Sequence, residues 1–119
     1  MTTLELLEQH PKTTTLIKEW FLDKLLASMN AAIEVPDDFK EMLRAQPIEN
    51  SNVEKMIDGM PRSLFDFFDC HEIVINTIYK DGWTWSINDN NEDSMACVCR
   101  TEAEYDAIIV AFKMLEDNL

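Results

Sequence analysis

Ile73-Val-Ile-Asn-Thr-Ile-Tyr-Lys-Asp-Gly-Trp-Thr-Trp-Ser-Ile87 decides the fold of this chain, because the apolar period changes there from helical to alternating. Ile73, Ile75, Thr77 and Tyr79 fall on one side of an extended strand, and Val74, Asn76 and Ile78 on the other. The run Tyr79-Lys-Asp-Gly-Trp83 supplies a hairpin turn whose length sets the register. A two-residue Asp-Gly loop puts Trp83, Trp85 and Ile87 on the face of Lys80, Ile78, Asn76 and Val74. A three-residue loop with Gly82 at positive φ puts them with Tyr79, Thr77, Ile75 and Ile73. The second register keeps Lys80 and Asn76 off the apolar face, and it is the one expected.

Beyond the hairpin, a polar loop from Asn88 to Ser94 leads to an expected third strand, Met95 to Arg100, with Met95, Cys97 and Cys99 on one side. Thr101-Glu-Ala-Glu104 has the pattern of a capping box. It opens a final helix with Tyr105, Ile108, Ile109, Phe112 and Leu115 as its apolar stripe. Upstream the chain is helical. Leu4, Leu6 and Leu7 precede His10-Pro11, and Pro11 suits a first helical position. From Lys12 to about Asn30, residues Leu16, Ile17, Trp20, Phe21, Leu25 and Met29 recur at helical spacing. Pro36 opens a helix from Asp37 to Arg44, with acids in its first turn, and Pro47 ends that segment. Ser51-Asn-Val-Glu54 is a second capping-box pattern, starting a helix that Gly59 stops. Pro61 restarts the chain into Leu64, Phe65, Phe67 and Phe68.

A sheet face bearing two Trp and several Ile must be covered, and the helices at both ends of the chain are the expected covers. The expected fold is α+β: N-terminal helices, a three-stranded antiparallel β-meander, and a C-terminal helix packed on one sheet face. Residues 1–119 form a single domain, with 1–71 helical and 72–119 the meander and last helix. The second sheet face (Val74, Ile78, Thr84, Ser86, Ala96, Val98) is too polar for a full core. It suits partial cover by the N-terminal helices, or contact with a partner or a second copy.

Charge constrains function more than any motif does. The 119 residues hold 23 acids against 10 bases, a net charge of -13. The last segment, residues 72–119, carries -7 of that total. Such a field repels phosphate backbones and anionic membranes, so direct nucleic-acid and membrane binding are not expected. No apolar run approaches the ~18–20 residues of a membrane span. The N-terminus lacks the basic and apolar segments of an export signal, and three cysteines in such a chain read as reduced thiols. A cytoplasmic location is the expectation.

Two clusters carry possible metal chemistry. Cys70, His71, Cys97 and Cys99 give the ligand count of a structural zinc site, and alternation puts Cys97 and Cys99 on one strand face. The spacing is not that of a zinc knuckle, and buried cysteines pack well in strands, so core thiols are the simpler reading. Asp89-Asn-Asn-Glu-Asp93 presents oxygens at alternate positions, as a calcium loop does. The required Gly is Ser94 and the twelfth-position Glu is Arg100, so a solvated loop is favoured. No cofactor is called for. His10 and His71 stand in no triad or elbow pattern, and neighbouring strand residues such as Cys70 and His71 point apart. No catalytic constellation emerges.

The helical front, the strand–turn–strand through Lys80-Asp-Gly-Trp83 and the Thr101-Glu-Ala-Glu104 helix together resemble small uncharacterised acidic proteins of bacterial mobile elements and phages, especially in gut Bacteroidetes. The resemblance covers most of the chain as a layout. It implies an accessory or host-interaction role and assigns no activity to any residue.

The function expected is therefore non-enzymatic: an accessory or regulatory protein that meets a basic patch on a protein partner through its acidic surface. Asp89, Glu92, Asp93, Glu102, Glu104 and Asp106 are the candidate contact residues. The alternatives are a small zinc protein using Cys70, His71, Cys97 and Cys99, or an inhibitor whose acids imitate DNA phosphates.

Overall fold

A computed structural model describes residues 2–32, 36–45, 48–90 and 96–119. Among the described residues, six helices accompany a two-stranded antiparallel sheet, an α+β arrangement. Helix α1 (Thr3–Gln9) is capped by Thr2, whose hydroxyl accepts from the Glu5 N–H at 3.2 Å. Its Leu6 and Leu7 are buried. His10 leaves helical geometry because the following Pro11 disfavours it, and Pro11 then begins the long helix α2 (Pro11–Ala32). Helix α3 (Asp37–Ala45) follows, with Asp37 and Asp38 in its first turn and Arg44 in its last, each complementing the helix dipole.

Helix α4 (Asn50–Gly59) ends at Gly59 as the sequence suggests, but it does not use the Ser51 capping box. Glu49 is the cap residue, in extended geometry, and its carbonyl receives the Asn52 N–H at 3.0 Å. Ser51 already lies inside the first turn, where its hydroxyl donates to the Glu49 carboxylate at 3.5 Å. A tight 3-10 turn at Pro61–Leu64 passes into α5 (Phe65–Asp69), which delivers Phe67 and Phe68 to the interior.

Strands β1 (Ile75–Tyr79) and β2 (Trp83–Ile87) pair with Tyr79 opposite Trp83, Thr77 opposite Trp85 and Ile75 opposite Ile87. This is the three-residue-loop register. It is made by positive φ at Asp81 (56°) and Gly82 (123°). Gly82 is needed twice over, since a Cβ there would also sit 3.0 Å from the Ala96 Cβ. At the other end of β1, the Asn88 carboxamide accepts from the Val74 N–H at 2.8 Å and donates to the Glu72 carbonyl at 3.1 Å.

A full third strand is not seen among the described residues. Cys97 alone bridges to Trp83, exchanging N–H···O bonds of 2.9 and 2.7 Å, and Met95 lies outside the described residues. After Cys97 the chain turns away to start α6 (Arg100–Asn118), so pairing does not continue beyond that bridge. The Thr101 capping box is also not used. Cys99 holds the cap position without a side-chain bond, and Glu104 turns inward.

The core joins both ends of the chain, from Leu6 and Ile17 through Phe67 and Phe68 to Ile108, Phe112 and Leu115. Aromatic rings meet edge to face within it, Phe67 on Phe68 at 5.1 Å and Phe68 on Phe112 at 5.7 Å. Alanines at 103, 107 and 111 make one side of α6 narrow enough to lie close to its neighbours. Helix α6 covers the indole side of the sheet, burying Trp85 and half-burying Trp83. The expected sharing of this task with α2 is corrected: α2 packs on α1 and α6 instead. The second sheet face is left open, with Val74 and Ile78 exposed and Thr84 and Ser86 half-buried. Among the described residues, no helix is long and apolar enough to cross a membrane.

Candidate functional site

The N-terminal end of α6 forms one wall of an open cleft of about 370 Å³. The opposite wall comes from the end of α4 (Asp58) and the 3-10 turn (Pro61). The segment carrying Cys97 and Cys99 closes one side, and Thr101, Glu102, Tyr105 and Asp106 project from the helix. These last residues share a rim because positions three and four apart lie on the same side of a helix.

Local bonding fixes the floor. The Thr3 hydroxyl donates to the Asp58 carboxylate and lies 2.9 Å from the Tyr105 hydroxyl. That three-way contact ties α1, α4 and α6 together and holds Asp58 in place. Behind the wall, the buried Glu104 carboxylate sits 3.1 Å from the Arg100 guanidinium and 3.6 Å from that of Arg62. Both arginines also lie over rings, Arg62 on Phe65 at 5.6 Å and Arg100 on Trp83 at 5.9 Å.

The Cys97 thiol donates to Asp106 at 3.5 Å. Burial raises its pKa above the ordinary thiol value, and the hydrogen bond to Asp106 with the charges of Asp106 and Glu102 raises it further. Both effects favour the protonated thiol over the thiolate, which is the nucleophilic form. What the cleft offers is three carboxylates (Asp58, Glu102, Asp106) around apolar surface from Pro61 and Tyr105. That combination suits the stem and charged head of a lysine or arginine.

The predicted site residues are distributed unevenly. Glu102 and Asp106 line the cleft, and Asp89 is exposed beyond the far end of β2. A five-residue strand is about 13 Å long, so Asp89 does not share the cleft with Cys97. Glu104 is corrected from a surface contact to a buried, ion-paired residue. Glu92 and Asp93 lie outside the described residues, as does most of the calcium-like loop. The four zinc candidates are not brought together. Cys97 and Cys99 line the cleft, Cys70 is exposed elsewhere, and the His71 ring rests 4.9 Å from that of Phe67. Among the described residues, no three His, Cys, Asp or Glu side chains converge as a metal site would require.

Sequence reading missed Asp58, Thr3 and the two arginines. One signal was available: Glu104 falls on the same helical face as Ala107, Ile108 and Ala111, where a charge must be paired to be buried. Comparison of the chain with protein-family models, curated proteins and solved structures finds no match. The fold and site thus define a small acidic α+β protein with a carboxylate-lined cleft.

Proposed function

We propose that this protein acts as a non-enzymatic accessory or regulatory binder, docking its acidic surface on a basic patch of a protein partner. The observation that carries this reading is the cleft, in which three carboxylates surround apolar surface within a chain of net charge -13. A lysine or arginine of the partner enters it, with Asp58 pre-oriented by Thr3 and the stem against Tyr105. Exposed acids such as Asp89 add long-range attraction and speed the encounter. This reading goes with a cytoplasmic accessory role of the kind found in mobile elements. It also takes the Trp83–Cys97 bridge as the start of the meander's third strand.

The test is fluorescence anisotropy with a labelled arginine- and lysine-rich peptide, using two variants of equal net charge. E102Q/D106N neutralises the cleft, and D69N/D117N neutralises acids that do not line it. The cleft pair is expected to weaken binding about tenfold and the control pair about twofold, with both weakening further as salt screens the field. Equal losses from the two pairs, or affinity indifferent to salt, would refute the proposal.

A further inference from the structure

Strand β1 ends the sheet, and half of its backbone groups point away from it. The Lys80 N–H bonds to the Gly82 carbonyl and the Asn88 N–H to that of Val74, each at 2.9 Å, while Trp83 exchanges both its bonds with Cys97. Even-numbered residues of β1 therefore bond to β2, and the N–H and C=O groups of Ile75, Thr77 and Tyr79 face outward. Among the described residues nothing bonds to these outward groups.

An uncovered edge of this kind is a template for one more strand. β1 has none of the devices that guard such an edge. Its pairing with β2 is regular, and from Ile73 to Tyr79 it contains no proline and no charge. Its outer side chains also stand in a self-complementary order. Glu72, Val74, Asn76, Ile78 and Lys80 are all exposed, and along the strand they run acid, apolar, amide, apolar, base. Glu72 and Lys80 stand just outside its two ends.

We propose that the occupant of the β1 edge is the β1 strand of a second copy, paired antiparallel about a two-fold axis at Asn76. Two two-stranded sheets then join into one of four strands. In that register Ile75 and Thr77 of each copy bond to Thr77 and Ile75 of the other through their outward N–H and C=O groups. On the open face Val74 meets Ile78, Asn76 meets Asn76, and Glu72 meets Lys80 at each end. Side-chain order selects both the occupant and the direction. A parallel copy in register sets Glu72 beside Glu72 and Lys80 beside Lys80. An antiparallel copy shifted by two residues keeps the backbone bonds but puts Ile78 against Asn76 and Lys80 against Val74. A basic segment of the kind the cleft attracts finds no net charge here, since Glu72 and Lys80 cancel. The cleft lies on the other side of β2, at Cys97, so the two proposals fail separately. Few residues pair, so the dimer is weaker than one of standard interface size.

Sedimentation velocity tests this on the intact chain, over about 10 to 500 µM and at about 0.15 M salt, which screens repulsion between the two negative bodies. A monomer–dimer equilibrium is expected. E72K and K80E each set like charges opposite one another at both ends of the pairing, and each is expected to raise the dissociation constant about tenfold. The double exchange E72K/K80E restores opposite charges at the net charge of the wild type, and is expected to return the constant to within about twofold. E8K, on the exposed Glu8 of α1, has the same net charge as E72K and is expected not to weaken the dimer. All three positions are exposed, so far-UV circular dichroism is expected to stay unchanged. A monomer at every concentration, a dimer indifferent to both single exchanges, a double exchange that fails to recover, or an equal loss from E8K would overturn the proposal.

Discussion

The Arg62–Glu104–Arg100 cluster predicts a specific pattern of non-additivity. The acid is buried while each arginine side chain is more than half exposed, so nearly all the desolvation falls on the carboxylate. R62A leaves the nearer Arg100 in place, and R100A leaves Arg62. Each single change is expected to cost about 0.5–1 kcal/mol, the value of a half-exposed pair. Removing both strands a buried carboxylate. Breaking a fully buried pair costs about 3–5 kcal/mol, and the exposure of the arginines reduces this to about 2–3. E104Q removes the charge itself and lets both arginines turn to water, so it is expected to cost only about 1 kcal/mol. Urea denaturation of wild type, the two singles, the double and E104Q supplies the cycle, with unchanged m-values as the check that one transition is being compared. Stacking of Arg100 on Trp83 and of Arg62 on Phe65 adds to the singles but cancels in the coupling energy. Singles that sum to the double within ~0.5 kcal/mol, or E104Q costing more than the double, would refute the reasoning.

G82A is expected to destabilise by about 1–3 kcal/mol, since it adds a side chain at φ 123° and drives its Cβ against Ala96; a thermal melt followed by Trp fluorescence reads it. Glu116 predicts a pH dependence. Its burial alone raises the carboxyl pKa, but the N–H groups of Thr13 (2.8 Å) and Lys12 (3.3 Å) and the charge of His10 together hold it below the ordinary value. A lowered folded-state pKa means stabilisation that is present above the ordinary carboxylate range and lost as pH falls through the folded value. Melting temperature from pH 7 to pH 3 is therefore expected to fall more steeply for wild type than for E116Q, and parallel curves would contradict this.

Much of the fold was legible because its signals are local. Pro11 marks a helix start through its fixed φ and Gly59 a helix end through its low helix propensity, and neither needs a tertiary contact. The site was less legible. Glu102 and Asp106 were readable as acids on an exposed helix face, whereas the cleft itself depends on Asp58 arriving from 44 residues or more upstream in the chain. Both capping boxes matched the pattern, yet Glu49 and Cys99 hold the cap positions. The register of a helix start is decided by how the helix packs, and a shift of one or two residues there carries little local cost.

By itself the sequence determined the hairpin and its register, since period-two alternation and a glycine at positive φ leave only one way to keep Lys80 out of the core. It also determined the amphipathic helix that closes the chain. Only the tertiary structure decided which helix covers the sheet, that Glu104 is buried between two arginines, and that Glu116 caps a helix beginning more than 100 residues earlier. The division is physical: backbone conformation is constrained by adjacent residues, whereas the partners of a buried charge or a free helix end are whatever the folded chain brings within about 3 Å.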